Sequence, residues 1–196
     1  TTGDPTTLKS FGGAYVLPSG ARVEVSVKSA GLLVKPVGQD ALTLLVFPDG
    51  VDTALIRRVT ESSAKIFEGA LKGDYTPFGQ AMLNREKRLP LVRGLIERRV
   101  KEANEQTGGI QSAEVLGTFP SPREKDALMT AVALRGERGS IYFQSIWRGV
   151  QNIGVGPLDD APQLEMTFMP VSTTEFVGYD LGMAKILRMA FTLDGQ

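Results

Sequence analysis

Hydrophobic spacing in this chain changes period twice, and those two changes limit the folds open to it. Within ARVEVSVK (residues 21–28), Val23, Val25 and Val27 alternate strictly with Arg22, Glu24, Ser26 and Lys28. A period of two sends successive side chains to opposite faces, so the segment predicts a strand with one dry and one wet face. AYVL (14–17), LLVKPV (32–37) and LTLLVF (42–47) read as further strands, separated by the turn-forming PSG, SAG and GQD.

At Asp52 the period lengthens. Leu55, Ile56, Val59, Ser63, Ile66, Phe67 and Ala70 recur at three- and four-residue spacing, which predicts a helix over 52–71 with Asp52 as its N-cap. Thr76 and Pro77 open a second, short helix presenting Phe78, Ala81 and Met82, because proline is tolerated in the first turn. A third helix is predicted over 90–106, burying Val92, Leu95, Ile96, Val100 and Ala103 and ending at Gly108 and Gly109.

The strand period then returns. Residues 110–119, 127–134, 140–147 and 150–155 form a predicted four-stranded meander, and GVGPLDDAP (154–162) marks a boundary. LEMTFMP (164–170), TTEFVGY (173–179) and AKILRMAFTL (184–193) complete the strand list. Neither end group alone avoids open edges and a one-sided core, so the two are expected to pair. The predicted fold class is α+β: a barrel-like antiparallel sheet from residues 10–48 and 160–196, interrupted by an insertion at 50–158 of three helices followed by the meander. The competing layout is one mixed α+β domain with a single continuous sheet.

Composition removes several function classes. Lys plus Arg (22) equals Asp plus Glu (22), so no long-range field draws the chain to nucleic acid or an anionic membrane. The longest apolar runs fall well short of the ~20 residues a membrane-spanning helix needs. There is no His and no Cys among the 196 residues. Ser-His-Asp and Cys-His catalysis are therefore impossible, and neither a metal site nor a cofactor is expected.

Candidate chemistry is sparse. ESSAK (61–65) carries Ser62 and Lys65 in the S-x-x-K spacing of penicillin-recognising hydrolases, but the companion motifs S-D-N or Y-x-N and K-T-G are missing. On the predicted helix Ser63 is buried, Ser62 lies at the stripe's edge and Lys65 faces water, where an ammonium stays protonated and cannot serve as base. No catalytic residue is assigned. Asp74 and Tyr75 pair an acid with a phenol, as in ketosteroid isomerase chemistry, yet Gly73 and the Thr-Pro cap explain Asp74 as a turn residue equally well. Asp159 and Asp160 read as turn residues. The basic residues Arg85, Lys87, Arg88, Arg93, Arg98, Arg99 and Lys101 alternate with Glu86, Glu97, Glu102 and Glu105, which suits a solvated helix face. Tyr142, Trp147 and Arg148 are the pocket candidates: Trp147 shares a strand face with Ile141 and Phe143, and Tyr142 and Arg148 fall on the other.

The opening run LKSFGGAYVLPSGARVEVSVKSAGLLVKPVGQDALTLLVFP is similar to the start of the lipocalin-like β domains appended C-terminally to β-lactamase-related serine hydrolases. The matching residues are Gly13, Tyr15, Gly20, Val23, Val25, Gly31, Leu32, Leu44 and Pro48; near the other end they are Pro170, Ser172, Phe176 and Phe191. The middle of the chain resembles the cystatin-like or ketosteroid-isomerase-like cone. The first resemblance implies a non-catalytic accessory domain of a larger bacterial hydrolase, periplasmic or secreted, with the working S-x-x-K in an upstream domain. Its partners would be that catalytic domain or further copies of itself. The cone resemblance implies the alternatives: a protein holding a small apolar ligand in a cavity between helices and meander, or an enzyme of ketosteroid-isomerase type. The start TTGDPTTLKS reads as a trimmed linker.

Overall fold

A computed structural model describes residues 5–82, 85–180 and 185–192. The chain divides into two compact units, one formed by Thr1–Gly50 with Gln163–Gln196 and the other by Val51–Pro162. The first is discontinuous, as strand-patterned ends flanking a helical middle require.

In the first unit a short helix α1 (Pro5–Lys9) precedes β1 (Gly13–Val16), β2 (Arg22–Lys28) and β3 (Gly31–Val37). After helix α2 (Gln39–Val46), the chain returns to this unit only for three late strands, here β8 (Met166–Pro170), β9 (Glu175–Asp180) and β10 (Lys185–Ala190). The six strands form one antiparallel sheet in the order β1-β2-β3-β8-β9-β10, curled into a half-barrel. Its two halves meet at β3 and β8, where Leu32, Leu33 and Val34 lie opposite Phe168, Thr167 and Met166.

The valines whose alternation predicted a dry face supply it: Val23 and Val25 of β2 and Leu32 and Val34 of β3 are buried with Phe168, Phe176, Leu8 and Phe11. Curling brings opposite margins of the sheet together through aromatic rings. Tyr15 of β1 and Phe191, just beyond β10, lie 5.2 Å apart between ring centroids, and Phe191 also meets Phe11 at 4.7 Å and Phe176 at 5.6 Å. The Tyr15 hydroxyl donates to the Phe11 carbonyl at 2.9 Å, so its polar tip is satisfied at the cluster's edge.

Residues 42–46 are helical, not a strand, and Phe47 is the C-cap of α2. LTLLVF is apolar but for Thr43 and lacks a clear period, and such runs do not distinguish helix from buried strand. Gly38, at φ +84°, turns the chain out of β3, and α2 then buries Ala41 and Leu42 on one side and leaves Leu44 exposed. The sheet therefore has six strands where seven were expected, and Leu44 and Pro48 do not belong to a strand as the resemblance required.

The second unit holds α3 (Thr53–Leu71), α4 (Thr76–Ala81) and α5 (Arg85–Thr107), followed by β4 (Ile110–Pro120), β5 (Leu128–Gly136), β6 (Gly139–Arg148) and β7 (Gln151–Leu158). The strands form a consecutive antiparallel meander. The Asp52 side chain caps α3 by accepting from the backbone N–H groups of Ala54 and Leu55. The buried stripe of α3 comprises Ile56, Val59, Ser63, Ile66, Phe67, Gly69 and Ala70, and the helix packs on β4 and β5.

α5 begins at Arg85, ahead of the expected start at Pro90, so the proline lies inside the helix. It ends at Gly108 and Gly109, both at positive φ, and the Arg138 backbone N–H of the β5–β6 turn donates to the Thr107 carbonyl. Ile96 and Ala103 are buried, whereas Leu95 is exposed, contrary to its predicted burial.

Gly31 sits where the two halves of the half-barrel meet. A Cβ there would lie 2.6 Å from the Phe168 carbonyl oxygen and 2.9 Å from Met169 Sδ. Gly31→Ala is expected to destabilise by about 1–3 kcal/mol, as overpacking does. Phe176→Ala, at a ring 1% exposed, should cost about 3–5 kcal/mol. Exposed Ile186→Ser should stay within about 0.5 kcal/mol. Urea denaturation of the three variants checks this order.

Candidate functional site

The S-x-x-K pair does not assemble a catalytic group. Ser62 is half-buried on α3 and Lys65 is exposed, while the neighbouring Ser63 is fully buried. Ser63 Oγ lies 2.7 Å from Ser145 Oγ of β6, and the indole Nε1–H of Trp147 points between them, 3.0 Å from Ser63 and 2.9 Å from Ser145. Trp147, a pocket candidate from sequence, is thus a core residue whose one donor is satisfied.

A second set of hydroxyls continues this polar row. Thr118, Thr130 and Ser145 stand opposite one another on β4, β5 and β6, all fully buried. Thr118 Oγ1 is 2.9 Å from Thr130 Oγ1 and 2.8 Å from Thr60 Oγ1 of α3. The Thr60 hydroxyl donates to the Ile56 carbonyl at 2.7 Å, so Thr118 must donate to Thr60 and Thr130 to Thr118. These hydroxyls are committed to one another in a dry interior, where none is free to attack a substrate. Sequence reasoning missed the row because it exists only once strand register is known.

Space between α3 and the meander is filled. Phe67 and Phe143 meet at 5.7 Å between centroids, and Trp147 is 1% exposed, so these three side chains pack as core between α3 and the meander. Asn152 of β7, opposite Trp147 and beside a register shift, is also buried; among the described residues neither the oxygen nor the nitrogen of its carboxamide has a hydrogen-bond partner.

An open groove of about 370 Å³ lies at the margin of this unit, between α5 and the ends of β6 and β7. One wall comes from α5 through Arg99, Glu102, Ala103 and Gln106. The floor and far wall come from Ser140–Phe143 of β6 and from Pro157 through Asp160. Tyr142 is thus a pocket candidate that borders this groove. Arg148 lies elsewhere, exposed and 3.8 Å from Glu124.

The acid–phenol pair is also dispersed. Asp74 is exposed, and its carboxylate accepts the Thr76 backbone N–H at 2.9 Å, which holds its pKa below the usual carboxylate range. Tyr75 is half-buried under the Arg93 guanidinium, 5.1 Å from the ring centroid; burial first, and then the Glu97 charge, raise its phenol pKa. Exposed and bonded to the Thr76 N–H, Asp74 occupies the turn position that Gly73 and the Thr-Pro cap suggested.

Arg93 pairs with Glu97 at 2.7 Å and Arg99 with Glu102 at 2.8 Å along α5, all four side chains being exposed. No group of three or more acidic side chains is arranged to hold a metal among the described residues, and no described helix is long and apolar enough to cross a membrane.

Two measurements test these assignments. Ser63→Ala and Ser145→Ala should each cost about 1 kcal/mol, since the indole keeps one acceptor, and the double variant about 1–3 kcal/mol beyond their sum because the N–H is then orphaned. A simple sum in urea denaturation would refute the shared acceptor. For Asp74 the folded pKa lies below the unfolded one, so its contribution is complete above the ordinary carboxylate pKa and disappears as pH falls through the depressed value. Asp74→Asn should therefore flatten the acid limb of a stability–pH curve relative to wild type.

Compared with known proteins, the chain matches no family model, no curated protein and no solved structure.

Proposed function

We propose that this chain is a non-catalytic accessory domain of a larger, exported bacterial serine hydrolase, packing on the catalytic domain or joining copies of it in the periplasm or outside the cell. The supporting observation is convergence. Tyr15, Val23, Val25, Leu32, Phe176 and Phe191, the residues from both chain ends on which the resemblance rests, meet in one half-barrel core. Val16, Met169, Val171 and Ile186 of the same unit are each about half exposed or more, which suits a surface that makes contacts. The buried, mutually bonded hydroxyls and the exposed Lys65 favour a binding role over bond-making.

A second reading, a small-ligand binding protein, is favoured by the groove beside α5, whose volume falls in the range of small-molecule sites. It differs from the sequence expectation in place, being marginal and open.

The accessory reading predicts a reading frame whose upstream part carries S-x-x-K, Y-x-N and H/K-x-G motifs. It also predicts that this chain alone does not hydrolyse nitrocefin or p-nitrophenyl acetate. Hydrolysis abolished by Ser62→Ala would overturn it.

A further inference from the structure

The groove beside α5 combines an apolar floor with unbalanced charge. Ile141, Phe143, Ala103 and Leu158 give it carbon surface; Phe143 and Ala103 are buried and fixed in the core, so the floor is preformed. Four charged side chains border it: Arg99, Glu102, Asp159 and Asp160. Arg99 and Glu102 neutralise each other at 2.8 Å. Asp159 and Asp160 follow β7 in an exposed bend, and neither makes an ion pair or hydrogen bond among the described residues. The groove's one cation is thus committed, while two carboxylates at its mouth are not.

Resting on the ligand-binding reading above, we propose that this groove binds a small organic ammonium ion, its hydrocarbon body on Ile141, Phe143 and Leu158 and its charged head at Asp159 and Asp160. A carboxylate ligand would bring negative charge to an excess of the same sign. A bare divalent cation would leave the apolar floor uncovered, and it needs more oxygen ligands than two adjacent exposed carboxylates supply. A neutral apolar molecule would use the floor but gain nothing at the mouth. The charge is exposed and screened, so it sets selectivity more than affinity.

The test is an NMR titration of the whole chain with 2-phenylethylammonium, the neutral isostere 2-phenylethanol, and 3-phenylpropanoate, each up to about 10 mM, the upper limit for weak fragments. The ammonium ion should shift backbone amides of residues 140–143 and 158–160 and bind tightest of the three. Asp159→Asn with Asp160→Asn should weaken it about five- to tenfold, as should raised salt. Arg99→Gln, which releases Glu102, should strengthen it about two- to fivefold, a gain that loss of a merely structural residue would not give. If 2-phenylethanol binds as well as the ammonium ion, or if 3-phenylpropanoate binds best, the cation assignment is overturned while the ligand-binding reading survives. If none of the three shifts these amides, both are overturned.

Discussion

Three residue pairs hold the first unit together. Leu32, Leu33 and Val34 of β3 lie against Phe168, Thr167 and Met166 of β8, and among the described residues no other strand pairing joins the early part of the half-barrel to the late part. Because β-sheet side chains alternate with a period of two, a slip of one residue at this seam would turn Phe168 away from the core and Thr167 into it. Gly31 makes the approach possible, and the ring cluster of Phe11, Tyr15, Phe176 and Phe191 secures it by burying side chains from both halves. The seam is far apart in sequence, so it is costly to close. Loop-closure entropy grows only slowly with length, however, so a folded guest between β3 and β8 is tolerated.

In the second unit register is fixed by polar groups instead. Thr118, Thr130 and Ser145 align across three strands under Thr60 and Ser63 of α3. Each hydroxyl bond contributes little net free energy, about 1 kcal/mol, but an unmade one in a dry core costs more. Sliding α3 along the sheet would break several at once. We regard this row as a device that selects one docking of helix on sheet; Asn152 adds a further buried polar side chain to the same core.

Much of the architecture was legible because hydrophobic period is a local property. Val23, Val25 and Val27 announced β2 and its dry face, and Asp52 with the stripe from Ile56 to Ala70 announced α3 and its cap. Local pattern failed where it carried no period, as in LTLLVF, and where helical propensity outlasted a proline, as in α5. The candidate site was barely legible. Tyr142 was named as a pocket residue, yet the groove is created by α5 lying near the ends of β6 and β7, an arrangement no short spacing encodes. Ser63 was legible as a buried residue of α3 and Trp147 only as a pocket candidate; their partnership depends on a contact between residues 84 positions apart.

The indole of Trp147 is the chain's single tryptophan, and it lies wholly within the unit Val51–Pro162. The half-barrel, rich in phenylalanine, has no indole of its own. Excited at the red edge of indole absorption, where tyrosine contributes little, emission therefore comes from one unit only, while backbone circular dichroism sums over both. The molecule carries an internal optical label that tells apart melting of the guest from melting of its host, with no substitution required.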